Sequence, residues 1–369
     1  ILRMGAYQIL FMDVRDAAAC SEAVSLAKKR GFARLSGFVN GVLRTIVREK
    51  DRLPVPDKKE FDKYLSITYS VPEWLSRLMI DQYGAQTAET MFASFLEARP
   101  LTIRTNLSVI TPEALEEELK KEGVSVERGT YLPYALTISH LNYLGKLAAF
   151  RQGKFAVQDE SSQLAVEVAD INEGDFVLDV CAAPGGKTFH AADRLHGTGK
   201  VLSRDLTEYK TDLIEENKDR MCYENVEVQQ WDALVEDESL LESVDVLLAD
   251  LPCSGLGIMG RKNDIKYQMT QQQLSELAQL QRNILSVIWK YVKPGGEMIF
   301  STCTLNRGEN IENIRWIEEN TPMRLVSIED YLPETLKGRT GSQGYLQLIP
   351  GKDSCDGFFI SKFERPEAR

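Results

Sequence analysis

The stretch "DFVLDVCAAPGGKTFHAADRL", residues 175–195, joins an apolar run, a turn of small residues and a helix-like segment. It predicts a strand from Phe176 to Val180, a turn over "APGG" and then a helix. In a turn without bulky side chains, backbone N–H groups and the N-terminus of the helix can come close to a bound ligand. The spacing is neither that of a P-loop nor that of the G-x-G-x-x-G dinucleotide fingerprint.

Three further apolar runs end in an aspartate: "KVLSRD" at Asp205, "VEVQQWD" at Asp232 and "VDVLLAD" at Asp250. Amphipathic helices separate the runs, a pattern typical of a parallel α/β sheet. A lone aspartate at a strand end is most often a turn former, but ligands of open α/β sheets bind at the carboxyl ends of the strands. The series therefore predicts an adenosine-like cofactor, with Asp205 where an acid commonly holds a ribose diol.

Two cysteines follow apolar runs of the same region. "LLADLPCSGLG" (247–257) contains Cys253, and "MIFSTCTLN" (298–306) contains Cys303. Both thiols are expected on the cofactor side of the sheet. A cysteine at a strand end is usually a small buried apolar residue, and we interpret four others in this way: Cys20, Cys181, Cys222 and Cys355.

Between these two cysteines, "ELAQLQRNILSVIWKYV" (276–292) predicts one long helix that ends before "KPGG". Its apolar residues share one face, which we expect to pack on the sheet: Leu277, Leu280, Ile284, Leu285, Ile288 and Val292.

The chain divides into three predicted regions. Residues 1–56 are helical in pattern ("EAVSLAKKR", "FVNGVLRTIVREK") and end at the prolines of "RLPVPD". Residues 57–152 combine helices, one of them capped by Thr111, with the strand candidate "LTIRTNLS", and predict a small α+β domain. Residues 153–369 form the α/β region. The start, "ILRMGAYQIL", has neither an initiator methionine nor a helix-start signal, which predicts a shortened first module.

The 369 residues carry a net charge of −11, but the charge is uneven. Residues 1–50 hold nine basic and four acidic side chains, residues 201–250 hold four and fifteen, and residues 251–300 hold six and three. A basic strip beside Cys253 is compatible with RNA or DNA, and a merely solvated surface is the alternative.

Other classes of protein are disfavoured by the sequence. No apolar run approaches the ~18 residues of a membrane span, so we expect a soluble, cytoplasmic protein. The six cysteines show no C-x-x-C spacing and the three histidines are scattered, so neither a metal site nor a disulfide framework is predicted.

An adenosine-like cofactor beside two thiols suits one difficult reaction. Carbon 5 of cytosine is too poor a nucleophile to take a methyl group directly, but a thiolate that adds at carbon 6 turns the ring into an enamine. A free thiol has a pKa of about 8.5, so a nearby cation would help to ionise it. Lys187 is the candidate cation.

Four motifs in order, "DVCAAPGGKT", "DLPCSGLG", "GRKNDIKY" and "STCT", resemble those of the RNA cytosine-C5 methyltransferases, and within them the bacterial small-subunit rRNA enzymes of the RsmB type. "EAVSLAKKRGFARLSGFVNGVLR" resembles the later helices of their NusB-like RNA-binding module, and "RPLTIRTN" and "VQDESSQ" resemble their intermediate domain. The resemblance implies an α/β, Rossmann-like catalytic domain preceded by a small α+β domain and a truncated all-α NusB-like module.

The resemblance also implies S-adenosylmethionine as cofactor and RNA as partner, namely 16S rRNA alone or within a 30S assembly intermediate. We expect the protein to be a monomer without a membrane partner. Cys303 would be the nucleophile and Cys253 would assist product release. Asp250 would lie near both the methyl donor and the target base, and Lys187 is counted among the catalytic residues. The implied cofactor-binding residues are Cys181, Ala182, Ala183, Pro184, Gly185, Gly186, Lys187, Asp205, Asp232 and Asp250. The sequence departs from the family pattern at Lys210, Leu251, Asn263 and Tyr267.

Two alternatives stay open. The target could be tRNA or another rRNA site, because target choice depends on the accessory domains. The chain could also be a non-catalytic RNA-binding assembly factor that keeps the fold. Retention of both thiols and of the three strand-end acids disfavours this second alternative, because a scaffold has no need of them.

Overall fold

The computed structural model describes residues 1–53, 56–141 and 143–367. The chain forms two compact units, residues 1–68 and residues 69–369. Pro54, which was predicted to help end the first region, lies outside the described residues, and the domain boundaries predicted at residues 56 and 152 stay predictions. Across the described residues, no helix combines the length and the hydropathy that crossing a bilayer requires.

Fourteen α-helices are found in the described residues: α1 (Leu2–Phe11), α2 (Asp16–Lys29), α3 (Ser36–Glu49), α4 (Phe61–Thr68), α5 (Glu73–Tyr83), α6 (Ala85–Ser94), α7 (Pro112–Lys121), α8 (Ala148–Arg151), α9 (Glu160–Val168), α10 (Gly186–Arg194), α11 (Glu208–Met221), α12 (Ile265–Gln268), α13 (Gln271–Ile288) and α14 (Ile311–Asn320). The described strands are β1 (Leu101–Thr105), β2 (Ser125–Arg128), β3 (Ala135–Ser139), β4 (Phe155–Val157), β5 (Phe176–Asp179), β6 (Lys200–Asp205), β7 (Val226–Gln230), β8 (Val244–Asp250), β9 (Val292–Thr302), β10 (Arg324–Leu325), β11 (Tyr345–Leu348) and β12 (Phe358–Glu364).

The first unit is helical, as predicted, and α1, α2 and α3 share its core. Alanines of α2 are fully buried there, and small side chains of this kind let helices approach closely. Gly5 of α1 is needed for the same reason, because a Cβ atom at this position would lie 2.7 Å from a methyl group of Leu43 in α3.

The second unit contains two sheets, and the smaller has the strand order β2-β3-β1-β4 with every pair antiparallel. Helix α7 packs on it through Leu115 and Leu119. The predicted cap of α7 is present, since the Thr111 hydroxyl accepts the N–H of Ala114 at 3.3 Å. The sheet also includes β4, which pairs with β1.

The larger sheet has the order β10-β12-β9-β8-β5-β6-β7, with β11 paired to β12. Strands β5 to β9 are mutually parallel, and β12 enters antiparallel between β9 and β10. The carboxyl ends of β5, β6, β7, β8 and β9 therefore meet along one edge, which is the edge where α/β sheets bind ligands.

Both faces of this sheet are buried. Along β8, Val246 and Leu248 belong to the core shared with α9, α10 and α11, whereas Leu247 and Ala249 belong to the core shared with α13 and α14. This burial on two sides explains why the strands read as continuous apolar runs.

The helix predicted over 276–292 differs at both ends, because α13 begins at Gln271 and ends at Ile288. Residues 290 and 291 instead use their carbonyl groups to accept N–H groups of Glu242 and Ser243 ahead of β8. Val292 is consequently the first residue of β9 and not a helical residue. The pairing with a distant strand overrides the local helical pattern.

Candidate active site

The glycine turn between β5 and α10 has the predicted strand-turn-helix form. Gly185 precedes α10 with φ 101°, a conformation that favours glycine. A Cβ atom there would also lie 2.2 Å from the ring of Phe189, so the turn accepts no side chain at this position. Within the same turn, Ala182 is buried and Cys181 packs against the core on the α13 side. Burial raises the pKa of the Cys181 thiol.

Asp205, the last residue of β6, holds the turn against its own strand. Its carboxylate accepts the N–H of Ala183 at 3.0 Å, the N–H of Leu206 at 2.7 Å and the ammonium group of Lys210 at 2.8 Å. A carboxylate offers about four acceptor positions, so one acceptor position remains for a ligand hydroxyl.

Asp232 lies two residues beyond β7, and its carboxylate accepts the N–H of Leu234 at 2.9 Å. Its backbone carbonyl accepts the N–H of Val235. These are contacts of a turn-forming aspartate. Asp232 nevertheless lies beside the ends of β6 and β7, where the sheet edge continues from Asp205.

Lys187 and Asp250 form a partly buried ion pair at the centre of the edge. The Lys187 ammonium group donates to Asp250 at 2.6 Å and to the hydroxyl of Ser162 at 2.9 Å. The other Asp250 oxygen accepts the hydroxyl of Ser301 at 2.8 Å. Lys187 is 7% exposed, whereas the Asp250 side chain keeps 31% of its surface accessible. The pair therefore presents its carboxylate to the site.

The two cysteines leave neighbouring parallel strands at the same edge and meet there. Asp250 of β8 is the register partner of Ser301 of β9, and each cysteine follows within three residues. The Sγ atoms of Cys253 and Cys303 are 3.2 Å apart, and both thiols are free and only partly buried. The sequence prediction that both thiols lie on one side of the sheet is confirmed.

The surroundings of Cys253 disfavour its ionisation. Its pKa is raised well above the usual value, first by its hydrogen bond to Cys303, then by burial, and further by the negative charges of Cys303 and Glu309. Cys253 therefore keeps its proton, and either thiol can be the donor in the 3.2 Å contact.

Backbone contacts fix the two cysteine loops against each other. The N–H of Gly257 donates to the carbonyl of Cys303 at 3.0 Å, and the N–H of Gly357 donates to the carbonyl of Gly257 at 2.9 Å. A Cβ atom on Gly257 would lie 2.0 Å from the carbonyl oxygen of Gly357. Only glycine allows this approach of three chain segments.

The comparisons with known proteins agree along the whole chain. The family described as 16S rRNA methyltransferase RsmB/F matches residues 166–364, the NusB family matches residues 1–48, and a ferredoxin-like domain of RsmF/B-like methyltransferases matches residues 71–142. The chain belongs to the RsmB/F methyltransferase family. The predicted family, the fold class and the assignment as a methyltransferase that uses S-adenosylmethionine are confirmed.

Relatives resemble the chain over nearly its full length. A probable ribosomal RNA small subunit methyltransferase B of Bacillus subtilis (strain 168) is 36% identical over 99% of this chain and 82% of its own length. The crystal structure of PH0851 is 28% identical, with a TM-score of 0.83 over 98% of this chain and 80% of that chain. The crystal structure of NSun6 from Pyrococcus horikoshii with SFG has a TM-score of 0.69 at 23% identity and covers 84% of this chain and 98% of that chain, a likeness of fold.

The charges of the edge fit the cofactor of this RsmB/F chain. Asp179, the last residue of β5, is fully buried, and burial together with nearby Asp250 and Asp205 raises its pKa to about 7, against the effects of Thr188 and Lys187. Among the described residues, its Oδ1 atom has no hydrogen-bond partner. An acidic lining with a free acceptor suits a cation such as the sulfonium of S-adenosylmethionine and disfavours a phosphate-bearing cofactor.

Sequence reasoning missed two kinds of site residue in this family member. Asp179 follows an apolar run and precedes the turn in "LDVCAAPGG", as the other three acids follow their own apolar runs. The same sequence pattern could therefore have identified it. Glu309 lies in a short turn before α14 and was not detectable, because its contacts come from segments 28 and 55 residues away.

Proposed function

We propose that this protein methylates carbon 5 of a cytosine in small-subunit (16S) rRNA through a covalent bond between Cys303 and carbon 6. The observation that carries this proposal is the thiol pair, in which the Sγ atoms of Cys253 and Cys303 lie 3.2 Å apart and Cys253 keeps its proton. Two thiols at this distance, beside an ion pair with an accessible carboxylate, suit a cycle of addition and elimination at one ring.

Lys187 and Asp250 would orient the cytosine. An ammonium group has three donors, and Asp250 and Ser162 use two of those on Lys187. The third donor can reach toward the ring nitrogen N3, whose electron density increases when a thiolate adds at carbon 6. Asp250 can accept a hydrogen bond from the exocyclic amino group of cytosine. Adenine has such an amino group as well, whereas uracil has none. We therefore assign base recognition to this pair.

Addition and elimination are the work of the two thiols. Cys303 forms a bond to carbon 6, and the electron pair of the ring double bond makes carbon 5 nucleophilic. S-adenosylmethionine, when bound, supplies the methyl group. The carbon-5 proton then leaves to solvent, the bond between carbon 6 and Cys303 breaks, and the ring double bond forms again. Cys253 donates a hydrogen bond to the departing thiolate and keeps its own proton, which assists product release and leaves both thiols in their starting states.

The cofactor roles follow the same edge. We propose that the turn over 181–187 approaches the methionine part of S-adenosylmethionine, that Asp205 accepts a ribose hydroxyl, and that Asp232 lies at the adenine. Asp250 would lie between the cofactor and the base. The role of Asp205 is supported by its hydrogen bonds, because they leave one acceptor position of the carboxylate open for a ribose hydroxyl.

Two variants test the thiol assignment. We expect Cys303→Ala to abolish methyl transfer without a trapped adduct, and Cys253→Ala to accumulate a protein–RNA species that survives denaturing electrophoresis. Cys222→Ala should behave as the parent protein, because this thiol lies elsewhere and is exposed; its predicted burial was wrong. An adduct that forms in Cys303→Ala and is missing in Cys253→Ala would reverse the assignment.

The RNA would be recognised in an open state. A base inside a duplex is not accessible to a thiol, so the target cytosine must leave its stack, and a loop is a more suitable substrate than a closed helix. The basic residues of the helical unit would hold the RNA backbone. Bisulfite mapping of rRNA from a deletion strain should show one lost methylation in 16S rRNA; loss only in tRNA would contradict the target.

Three related expectations stay predictions: a monomeric state, a cytoplasmic location, and action within a 30S assembly intermediate.

A further inference from the structure

We propose that Glu309 is a positioning residue that fixes the spacing of the two cysteine loops, and that its charge disfavours ionisation of Cys253. The inference rests on the proposed function, because it concerns the order in which the two thiols act. It is carried by the contacts of the Glu309 carboxylate, which is fully buried.

The first contact joins Glu309 to the loop of Cys253. Ser254, the next residue, donates its backbone N–H to Oε2 of Glu309 at 2.8 Å and its hydroxyl to Oε1 at 2.6 Å. Two hydrogen bonds from one residue define both the position and the direction of that loop. The Cys253 side chain starts one peptide bond away.

The second contact extends the tie to the loop of Cys303. Because the Ser254 hydroxyl donates to Glu309, it is free to accept from the Thr304 hydroxyl, which lies 2.6 Å away. Thr304 is the residue after Cys303. One carboxylate is thereby linked to the neighbours of both thiols, so its position sets how close the thiols can lie.

The remaining partners hold Glu309 without neutralising it. Asn306 donates to Oε1 at 3.0 Å and Gln281 donates to Oε2 at 3.3 Å. All of these donors are uncharged, and no ion pair reaches Glu309 within residues 1–53, 56–141 and 143–367. The nearest cation of this network, Arg282, is separated from Glu309 by Gln281 and Asn313.

An unneutralised carboxylate beside a thiol disfavours the thiolate. Burial raises the pKa of Glu309 itself, with Ser254 and the amides opposing the effect, and the charge of Glu309 adds to the raised pKa of Cys253. Of the two thiols, Cys253 is the one whose ionisation the charge of Glu309 disfavours. Ionised Glu309 therefore helps to keep Cys253 protonated.

Alkylation of the thiols tests the electrostatic part without RNA or cofactor. The protein and its Glu309→Gln variant are treated with iodoacetamide between pH 6.5 and pH 10, and modification of Cys253 is followed by mass spectrometry. Loss of the charge lowers the pKa of Cys253, so we expect roughly tenfold faster alkylation at a given pH. The control is Glu312→Gln, which changes an exposed carboxylate of α14, five positions before Ile317. Its rate of Cys253 alkylation should match that of the parent protein.

Methyl transfer tests the geometric part. In Glu309→Gln, the pH at which activity declines on the alkaline side should be about one unit lower than in the parent protein, because Cys253 loses its proton at a lower pH. Glu309→Asp keeps the charge but is too short for both Ser254 contacts, so we expect kcat to fall about tenfold with KM and the alkaline limb unchanged. The Asp variant keeps the inference testable if the Gln variant does not fold.

The inference is overturned if alkylation of Cys253 and the pH profile are the same in Glu309→Gln as in the parent protein. It is also overturned if Glu309→Asp retains full kcat. These outcomes differ from failure of the proposed function, which would appear as methyl transfer by Cys303→Ala with Glu309 intact.

Discussion

Two buried carboxylates of the second unit, Asp193 and Glu309, differ in what surrounds their charge. Asp193 faces the guanidinium of Arg104 at 2.8 Å and accepts two backbone N–H groups and the Ser108 hydroxyl. Glu309 accepts only from uncharged donors. The first carboxylate joins the small sheet to α10, and the second acts on a thiol. A neutralised charge serves packing, whereas an unneutralised one remains available to shift a neighbouring proton.

The Arg104 pair also explains how the two sheets keep one geometry. Arg104 belongs to β1 and is fully buried, and it donates to Gln158 at 3.0 Å as well as to Asp193. Asp193 belongs to α10, whose first turn carries the glycine loop of the site. The accessory sheet is thus bonded to the helix that shapes the candidate cofactor site.

The largest expected effect is loss of the neutralising partner. Arg104→Met should lower the free energy of unfolding by about 3–5 kcal/mol, because Asp193 would remain buried without a cation. Urea unfolding followed by circular dichroism measures this. Arg128→Met, which removes an arginine that is 42% exposed and pairs with Glu113, should cost less than about 1 kcal/mol. Equal losses in the two variants would remove the distinction between the buried and the exposed pair.

A smaller effect is expected from His190, which lies next to this pair. Burial and the charge of Arg104 lower the pKa of His190 to about 4. Folding therefore favours the neutral ring, so stability is present above pH 6.5 and is lost as the pH falls toward 4, by up to roughly 3 kcal/mol. His190→Gln should remove this loss between pH 6.5 and pH 4 in urea titrations. His140→Gln, at an exposed position, should retain it.

Glu167 adds a second acid-sensitive step to the same cluster. Burial alone would raise its pKa, but hydrogen bonds from His190, Arg194 and Tyr134 and the charge of His190 lower it to about 2. Its contribution to stability is present above pH 4.5 and is lost as the pH falls toward 2. The two steps occupy different pH ranges, so a curve with a single step would contradict one of these assignments.

The smallest expected effect on stability is that of Glu309→Gln. The Ser254 hydroxyl can rotate and the Asn306 amide can turn to accept the new amide group, while the Ser254 N–H keeps an acceptor. We expect a loss of about 1–2 kcal/mol in urea unfolding at pH 7.5, within the range of one impaired hydrogen bond. A loss as large as that of Arg104→Met would show that Glu309 serves packing in the same way as Asp193.

The fold was predictable where the signal is local. The glycine turn needs four adjacent residues, and each strand-end aspartate follows directly from its own apolar run, so Asp205 and Asp250 were found from the sequence. The place of Val292 was not, because pairing with Val244, 48 residues earlier, decides it. A local hydrophobic pattern carries no information about a contact between residues so far apart in the sequence.

The site was predictable as a set of groups but not as a protonation state. Both thiols and Lys187 were expected at one edge, and the structure brings them there. Lys187, however, donates to Asp250 and Ser162, and the contact of Cys303 is with Cys253. The raised pKa of Cys253 depends in part on the charge of Glu309, and no spacing in the sequence links that residue to Cys253.

The glycine contact behind the thiols has a consequence for the synthesis of the protein. Gly257 is held between Cys303 and Gly357, and β12 begins at the next residue and inserts beside β9. A nascent chain that ends before residue 357 lacks the segment against which the first cysteine loop rests. Since domains fold as units while they emerge from the ribosome, we expect the thiols to stay apart, and the nascent chain to stay inactive, until this late strand has been made.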